Sequence, residues 1–269
     1  MMKYTENFHT HTTYCDGKST PEELADAAIE KGFTALGFSG HSYLDFGCGW
    51  CMTRENTEKY IAHINSLKEK YKGRLNIYCG TEYDILSKYV NVSDYDFTIG
   101  SVHYLPVEGE YLPVDDSAKS QKDAAEKYFS GSVIDYACRY YKEAGKILEI
   151  TNADIIGHFD LISKFNENFD VFDPDDKKYK NAWMEAAEKL IYYDKPFEIN
   201  TGAIARGKRI TPYPALDIAD FIHSKGGFFV LTSDCHSADM LDCRFEESLE
   251  RFKKYYIVSF EEILKNQTQ

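Results

Sequence analysis

Asn7-Phe8-His9-Thr10-His11 places two imidazoles one residue apart at the end of a short strand-like run, where both can face one metal ion. Alone, a His-x-His pair fits two surface histidines beside a strand equally well. Its company decides the matter. Asp16 follows, then Gly40-His41, Gly80-Thr81-Glu82, Gly100-Ser101-Val102-His103, Gly157-His158 and Ser233-Asp234-Cys235-His236, each at or just after the end of an apolar, strand-like run. Imidazole with carboxylate suits zinc, manganese or iron better than the all-oxygen cages that calcium prefers. Zinc usually takes four protein ligands or fewer, so nine candidates exceed one ion and imply a cluster of two or three. His63 and His223 fall inside helical stretches without a carboxylate at ligand spacing, and read as structural or surface residues.

The elements that must position these residues alternate. A strand at Asn7–Thr10 leads through a loop to a helix near Pro21–Lys31, with Thr20 as cap, Glu23 completing a capping box and Gly32 as the left-handed stop. Strands follow at Phe33–Ser39, Leu75–Cys79, Phe97–Val102, Asp154–Gly157, Phe197–Asn200 and Phe228–Thr232. Helical patterns separate them: Arg54–Tyr71, where Ile61, Ile64 and Leu67 share a face, much of Gln121–Ala144, Tyr179–Tyr193 and Pro214–Ser224. A helix near Phe245–Lys254 and a strand-like Tyr256–Val258 close the pattern.

About seven βα units predict a parallel sheet, wound open or closed into a barrel. The ligand positions choose the barrel. Its strands all point their C-terminal ends at one mouth, where residues after seven strands can meet, whereas an open sheet would spread them along a crevice. At 269 residues this is expected to be one domain spanning 1–269, a distorted (β/α)7 TIM-like barrel.

Composition excludes several roles. A formal net charge of −13 and a pI near 5.1 give a surface that repels polyanions, so nucleic acid is not an expected partner. No apolar run of membrane-spanning length occurs, and Met1-Met2-Lys3-Tyr4-Thr5-Glu6-Asn7 lacks an apolar signal region, which predicts a cytoplasmic protein with no membrane partner. Seven cysteines, irregularly spaced, argue against a disulfide framework and for a reducing compartment. Cys48-Gly49-Trp50-Cys51 has no second pair to complete a zinc site, and reads as a loop lining the pocket rather than a redox motif. Cys15 and Cys235 adjoin candidate ligands but would point away from them in extended backbone.

The ordered set His9-x-His11, Asp16, His41, Glu82, His103, His158 and Asp234-x-His236 resembles the signature of the PHP family, named for polymerase and histidinol phosphatase. Gly-Ser-Val-His103-Tyr, Gly-His158-Phe-Asp160-Leu and Glu198-Ile-Asn-Thr-Gly are similar to its histidinol-phosphatase branch. The resemblance covers nearly the whole chain and fills all nine ligand positions. It implies three divalent metals at the mouth of a distorted seven-stranded barrel: His9, His11, Glu82 and Asp234 on the first, Glu82 bridging to a second held by His103 and His158, and Asp16, His41 and His236 on the third.

Such a cluster suits phosphomonoester hydrolysis, because two cations acidify a shared water and neutralise phosphoryl oxygens. Glu82, Asp234, His236 and Arg206 are the expected catalytic residues, with Asp234, His236 or a water as the source of the leaving group's proton. Arg206 resembles a phosphate-contacting arginine of the branch, one residue out of the expected register. The substrate implied is L-histidinol phosphate in histidine biosynthesis; another small phosphate ester or nucleotide, or a non-catalytic metal-binding module, are the alternatives. An ammonium and an imidazole call for an acidic pocket with aromatic walls, to which Glu198, Tyr14, Tyr43, Trp50 and Arg54 could contribute.

Overall fold

The computed structural model describes residues 4–168 and 170–267. Met1–Lys3, the start of the segment inspected above for a signal, lie outside them. Among the described residues nine strands run in chain order: β1 (Glu6–Asn7), β2 (Ala35–Phe38), β3 (Asn76–Asp84), β4 (Phe97–Ser101), β5 (Tyr104–Val107), β6 (Glu110–Pro113), β7 (Ile155–Ile156), β8 (Phe197–Asn200) and β9 (Phe229–Thr232). Seven of them form one parallel sheet in the order β1-β2-β3-β4-β7-β8-β9, and β5 pairs with β6 as an antiparallel hairpin. The sheet curls until its edges meet: Thr10 bridges Cys235 in parallel, and the His11 amide donates to the Cys235 carbonyl at 2.9 Å. Because that seam is a bridge rather than a ladder, the barrel is distorted and barely closed.

Alternation along the strands divides the core in two. Ala35, Phe97, Ile99, Ile155 and Val230 turn inward with Phe8, while Leu36, Phe38, Ile156, Phe197, Phe229 and Leu231 pack outward against the surrounding helices. The C-terminal helix Phe260–Gln267 plugs one end of the barrel. Phe260 sits 4.9 Å from the Phe8 ring and 5.7 Å from Phe97. Buried Glu6 ties that helix down, its carboxylate accepting from the Phe260 amide at 2.6 Å and the Glu261 amide at 3.2 Å, where a helix N-terminus favours negative charge.

The first helix, Pro21–Glu30, has the expected Thr20/Glu23 capping box, and Gly32 follows at a φ of 78°. Elsewhere the elements differ from expectation. The segment 121–144 is two helices, Ala118–Tyr128 and Val133–Ala144, because Ser130 and Gly131 both adopt left-handed backbone between them. β3 runs on to Asp84, so Glu82 stands inside a strand rather than after one. β1 stops at Asn7, leaving His9 and His11 beyond it, and 256–258 contributes only an Ile257–Phe229 bridge. The hairpin β5–β6 and the C-terminal helix were not foreseen. Among the described residues no helix is long and apolar enough to cross a membrane.

Candidate metal centre

All nine candidate ligands meet at the end of the barrel where the parallel strands finish. Glu82 lies at the middle of them. Its Oε1 is 2.8 Å from His158 Nε2 and 3.2 Å from His103 Nε2, while Oε2 is 2.7 Å from His41 Nδ1, 3.4 Å from His9 Nε2 and 3.7 Å from His11 Nε2. Asp234 Oδ1 is 3.1 Å from His11 Nε2 and 3.8 Å from His9 Nε2. Asp16 takes His236 Nε2 at 3.1 Å and His41 Nε2 at 3.5 Å. Two atoms bound tetrahedrally at ~2.0–2.1 Å from one zinc stand about 3.3 Å apart, so these separations suit shared cations.

In two of the rings the remaining nitrogen is already committed, which fixes the direction of its free lone pair. His9 Nδ1 lies 2.5 Å from Glu198, and His103 Nδ1 lies 3.0 Å from Asp84. A carboxylate or carbonyl behind Nδ1 sets the tautomer that presents Nε2 to a metal. Among the described residues, the buried His9 Nε2, His11 Nε2, His41 Nδ1 and Glu82 Oε2 have no hydrogen-bond partner. Unpaired polar atoms are expensive to bury, and their convergence on one another is what a metal cluster would satisfy. The residues therefore fit the ions.

Charge distribution agrees. Burial would raise Glu82, but the His103, His41 and His9 imidazoles hold it well below the usual carboxylate range. Asp234 is lowered likewise against its burial, chiefly by Arg206 and His9. His11 is pushed well below the ordinary histidine value by burial and by His41 and His236, whose rings lie 4.1 and 4.2 Å away. Ionised carboxylates and a neutral His11 are the ligand forms that cations require, whereas His9 and His103 are raised against their burial, chiefly by Glu198 and Glu82, and would give up those protons to bound cations.

Three ligand groupings, each with atoms within 4.8 Å of one another, occur among the described residues: His11, Asp16, His41 and His236; His9, His11 and Asp234; His41, Glu82 and His103. They differ from the implied partition in that His11 faces both Asp16 and Asp234, and His41 touches both Asp16 and Glu82. His158 joins through the other oxygen of Glu82.

Asp234 has a positive φ of 46°, a backbone state uncommon outside glycine that concentrates at working sites. Gly202 makes room for it, since a Cβ there would lie 2.6 Å from Asp234 Oδ2. Arg206, on the short helical turn after β8, holds Asp234 Oδ2 at 2.9 Å and reaches His236 Nδ1 at 2.9 Å.

A cleft of about 500 Å³ opens above the centre, lined among others by Trp50, Tyr104, Asp115, Lys164 and Arg206. Trp50 packs edge-on to His41 at 4.4 Å and lies parallel to Tyr104 at 6.0 Å. It is carried by a loop closed by a Cys48–Cys51 disulfide, a correction to the thiols expected there; the other five cysteines are free. Cys15 also departs from expectation: it sits in a turn, and its Sγ lies 3.6 Å from His11 Nδ1.

Four expected substrate contacts are not on this cleft. Glu198 points into the barrel below the ligands, 1% exposed, and is saturated by His9, the His158 amide, Asn200 and Thr232. Tyr14 turns its hydroxyl to His63 Nδ1 at 3.0 Å, on a helix flank. Tyr43 packs on Tyr89, and the Arg54 guanidinium covers that same ring at 4.9 Å. Sequence reasoning missed Asp84, Asp115 and Lys164. Asp84 had a signal, because Glu82-Tyr83-Asp84 puts two carboxylates on one face of a strand.

Residues 7–202 match the PHP domain family. The chain is a PHP-family protein. Asp234 and His236 lie beyond the matched segment, and the closing of β9 against the His9–His11 segment brings them in. The "Probable histidinol-phosphatase" of Deinococcus radiodurans is 29% identical over 255 residues, covering 91% of each chain. The "Histidinol-phosphatase" of Bacillus subtilis is 27% identical over 181 residues, 60% of this chain and 68% of that one. The crystal structure of hisK from Listeria monocytogenes superposes with a TM-score of 0.77 at 20% identity, over 90% of this PHP protein and 99% of that chain. The histidinol phosphate phosphatase of Lactococcus lactis, solved with zinc, L-histidinol and phosphate, gives a TM-score of 0.65 at 19% identity, over 94% and 95% of the two chains.

Proposed function

We infer that this chain is a metal-dependent phosphomonoesterase that hydrolyses L-histidinol phosphate to L-histidinol and phosphate, a step of histidine biosynthesis carried out in the cytoplasm. The carrying observation is the convergence of nine ligands, with unpaired lone pairs, on the floor of a cleft sized for a small ester. Whole-length similarity to a histidinol-phosphatase, and the zinc, histidinol and phosphate bound by the Lactococcus protein, support the choice of ester. Three ions, of zinc, manganese or iron, suit nine ligands. His9, His11, Glu82 and Asp234 would hold the first, Glu82, His103 and His158 the second, and Asp16, His41 and His236 the third. When bound, they supply the charge that activates a water and neutralises the phosphoryl oxygens. Metal-supplemented protein should carry more than two divalent ions per chain by elemental analysis; one or none would sink the trinuclear reading.

The chain's own residues bind and orient. Arg206 stands at the cleft with its fork on Asp234 and His236, placed to turn toward a phosphate. The proton for the leaving alcohol oxygen would come from Asp234, from His236 or from a water beside them. Trp50 and Tyr104 wall the cleft against water.

Phosphate release measured across a panel of small esters, with metal content on the same sample, tests the function: L-histidinol phosphate should give the highest kcat/KM. Arg206→Ala should retain the metals and lose about tenfold or more in kcat/KM, the loss expected for one charge-assisted hydrogen bond of ~1.5–3 kcal/mol. Unchanged kinetics would remove Arg206 from the phosphate site.

A further inference from the structure

One charged pair on the cleft wall is used neither by the metal ligands nor by Arg206. Lys164, after the turn Leu161–Ser163, is 8% exposed and places Nζ 2.8 Å from Asp115 Oδ2 and 3.2 Å from the Asp115 carbonyl. Both residues border the cleft. Lys164 is buried, but the Asp115 side chain keeps 28% of its surface exposed, so the carboxylate is held from the protein side and open on the cleft side. Only one of the two carboxylate oxygens is engaged. Among the described residues, Asp115 Oδ1 has no hydrogen-bond partner.

The position of Asp115 is informative. Its carboxylate would rise with burial, but Lys164 first, then His103 and His158, hold it down, and its own field reaches Arg206. Val114, the residue before it, donates its amide to the His103 carbonyl at 2.9 Å, and Asp115 lines the cleft together with His103, His158 and Arg206. The other carboxylates there are occupied or remote: Asp16 and Asp234 are taken by imidazoles and by Arg206, and Asp116 is exposed, accepting from Ser117 Oγ at 3.2 Å.

An ester of the class assigned above carries a primary ammonium on the carbon next to the ester CH2, only a few bonds from phosphorus. Its acceptor must lie on the same wall as the phosphate site. We propose that Asp115 Oδ1 receives this ammonium while Lys164 holds the carboxylate through Oδ2, so that the pair selects phosphate esters bearing a neighbouring primary ammonium. The ammonium follows from the histidinol-phosphate reading, and the last pair of esters below tests it without the imidazole.

The test compares two esters on metal-loaded protein, L-histidinol phosphate and its des-amino analogue 3-(imidazol-4-yl)propyl phosphate. Wild type should prefer the amine by about tenfold or more in kcat/KM, the scale of a hydrogen bond to a charged group. Asp115→Asn should bring that ratio close to one, chiefly through KM. A ratio left unchanged by the substitution overturns the proposal, because a purely structural role would depress both esters together. Should the single variant misfold around an unpaired Lys164, Asp115→Asn/Lys164→Met removes both charges and should collapse the ratio in the same way. If wild type turns over neither ester, the histidinol reading fails separately. O-phosphoethanolamine against ethyl phosphate then decides, and an absent preference for the amine overturns the ammonium site.

Discussion

Glu82→Gln is expected to lose metal and turnover together, with kcat falling by more than about a hundredfold. Removing an outer partner of a metal ligand already costs roughly 10–100-fold, and Glu82 is nearer the ions than that. Five imidazoles, those of His9, His11, His41, His103 and His158, lie within 3.7 Å of its two oxygens. A carboxylate can bridge two cations, whereas an amide offers one neutral oxygen and turns an NH2 donor toward the rest. Bound metal per chain should drop by at least one ion in elemental analysis, independently of any assay. Wild-type turnover with full metal content in this variant would take the bridge out of the mechanism.

Glu198→Ala is expected to weaken metal binding by about 10–100-fold although Glu198 touches no metal position. Its Oε1 lies 2.5 Å from His9 Nδ1 and accepts from Thr232 Oγ1 at 3.0 Å, and its Oε2 accepts from the His158 amide at 2.9 Å and from Asn200 Nδ2 at 3.1 Å. Truncation releases the tautomer of His9 and loosens the backbone at His158, one ligand on each side of Glu82. It also leaves buried donors unpaired, at about 1–3 kcal/mol each, so the metal-free protein should melt several degrees lower. Chelator competition and thermal melts check both effects. The result that would contradict this placement is a raised KM with unaltered metal affinity, the signature of the acidic substrate contact that the sequence offered at Glu198.

Those two carboxylates show where reading the chain in one dimension succeeds and where it stops. The residue types of the nine ligands, their recurrence at strand ends and the alternation of strands with helices are local properties. Periodicity, Thr20 and Glu23 at a helix start, and imidazoles beside glycine-marked strand ends are all contained in windows of a few residues, so the barrel and its metal-binding mouth were legible. What the tertiary structure decided depends on register and on segments far apart in the chain. Whether Glu198 faces the cleft or the barrel floor is set by its pairing with Val230, which turns it inward under His9. The extension of β3 that centres Glu82 is held by its ladder with β4, which pairs Glu82 with Ile99 and Asp84 with Ser101. Tyr14, Tyr43 and Arg54 are aromatic or cationic near the mouth in sequence, yet their packing on His63 and Tyr89 turns them away. Asp115 and Lys164 stand 49 residues apart, and no pattern around either one announces the other. A strand's periodicity tells which residues share a face, but which face becomes the interior is settled only when the neighbouring strands and helices bury it.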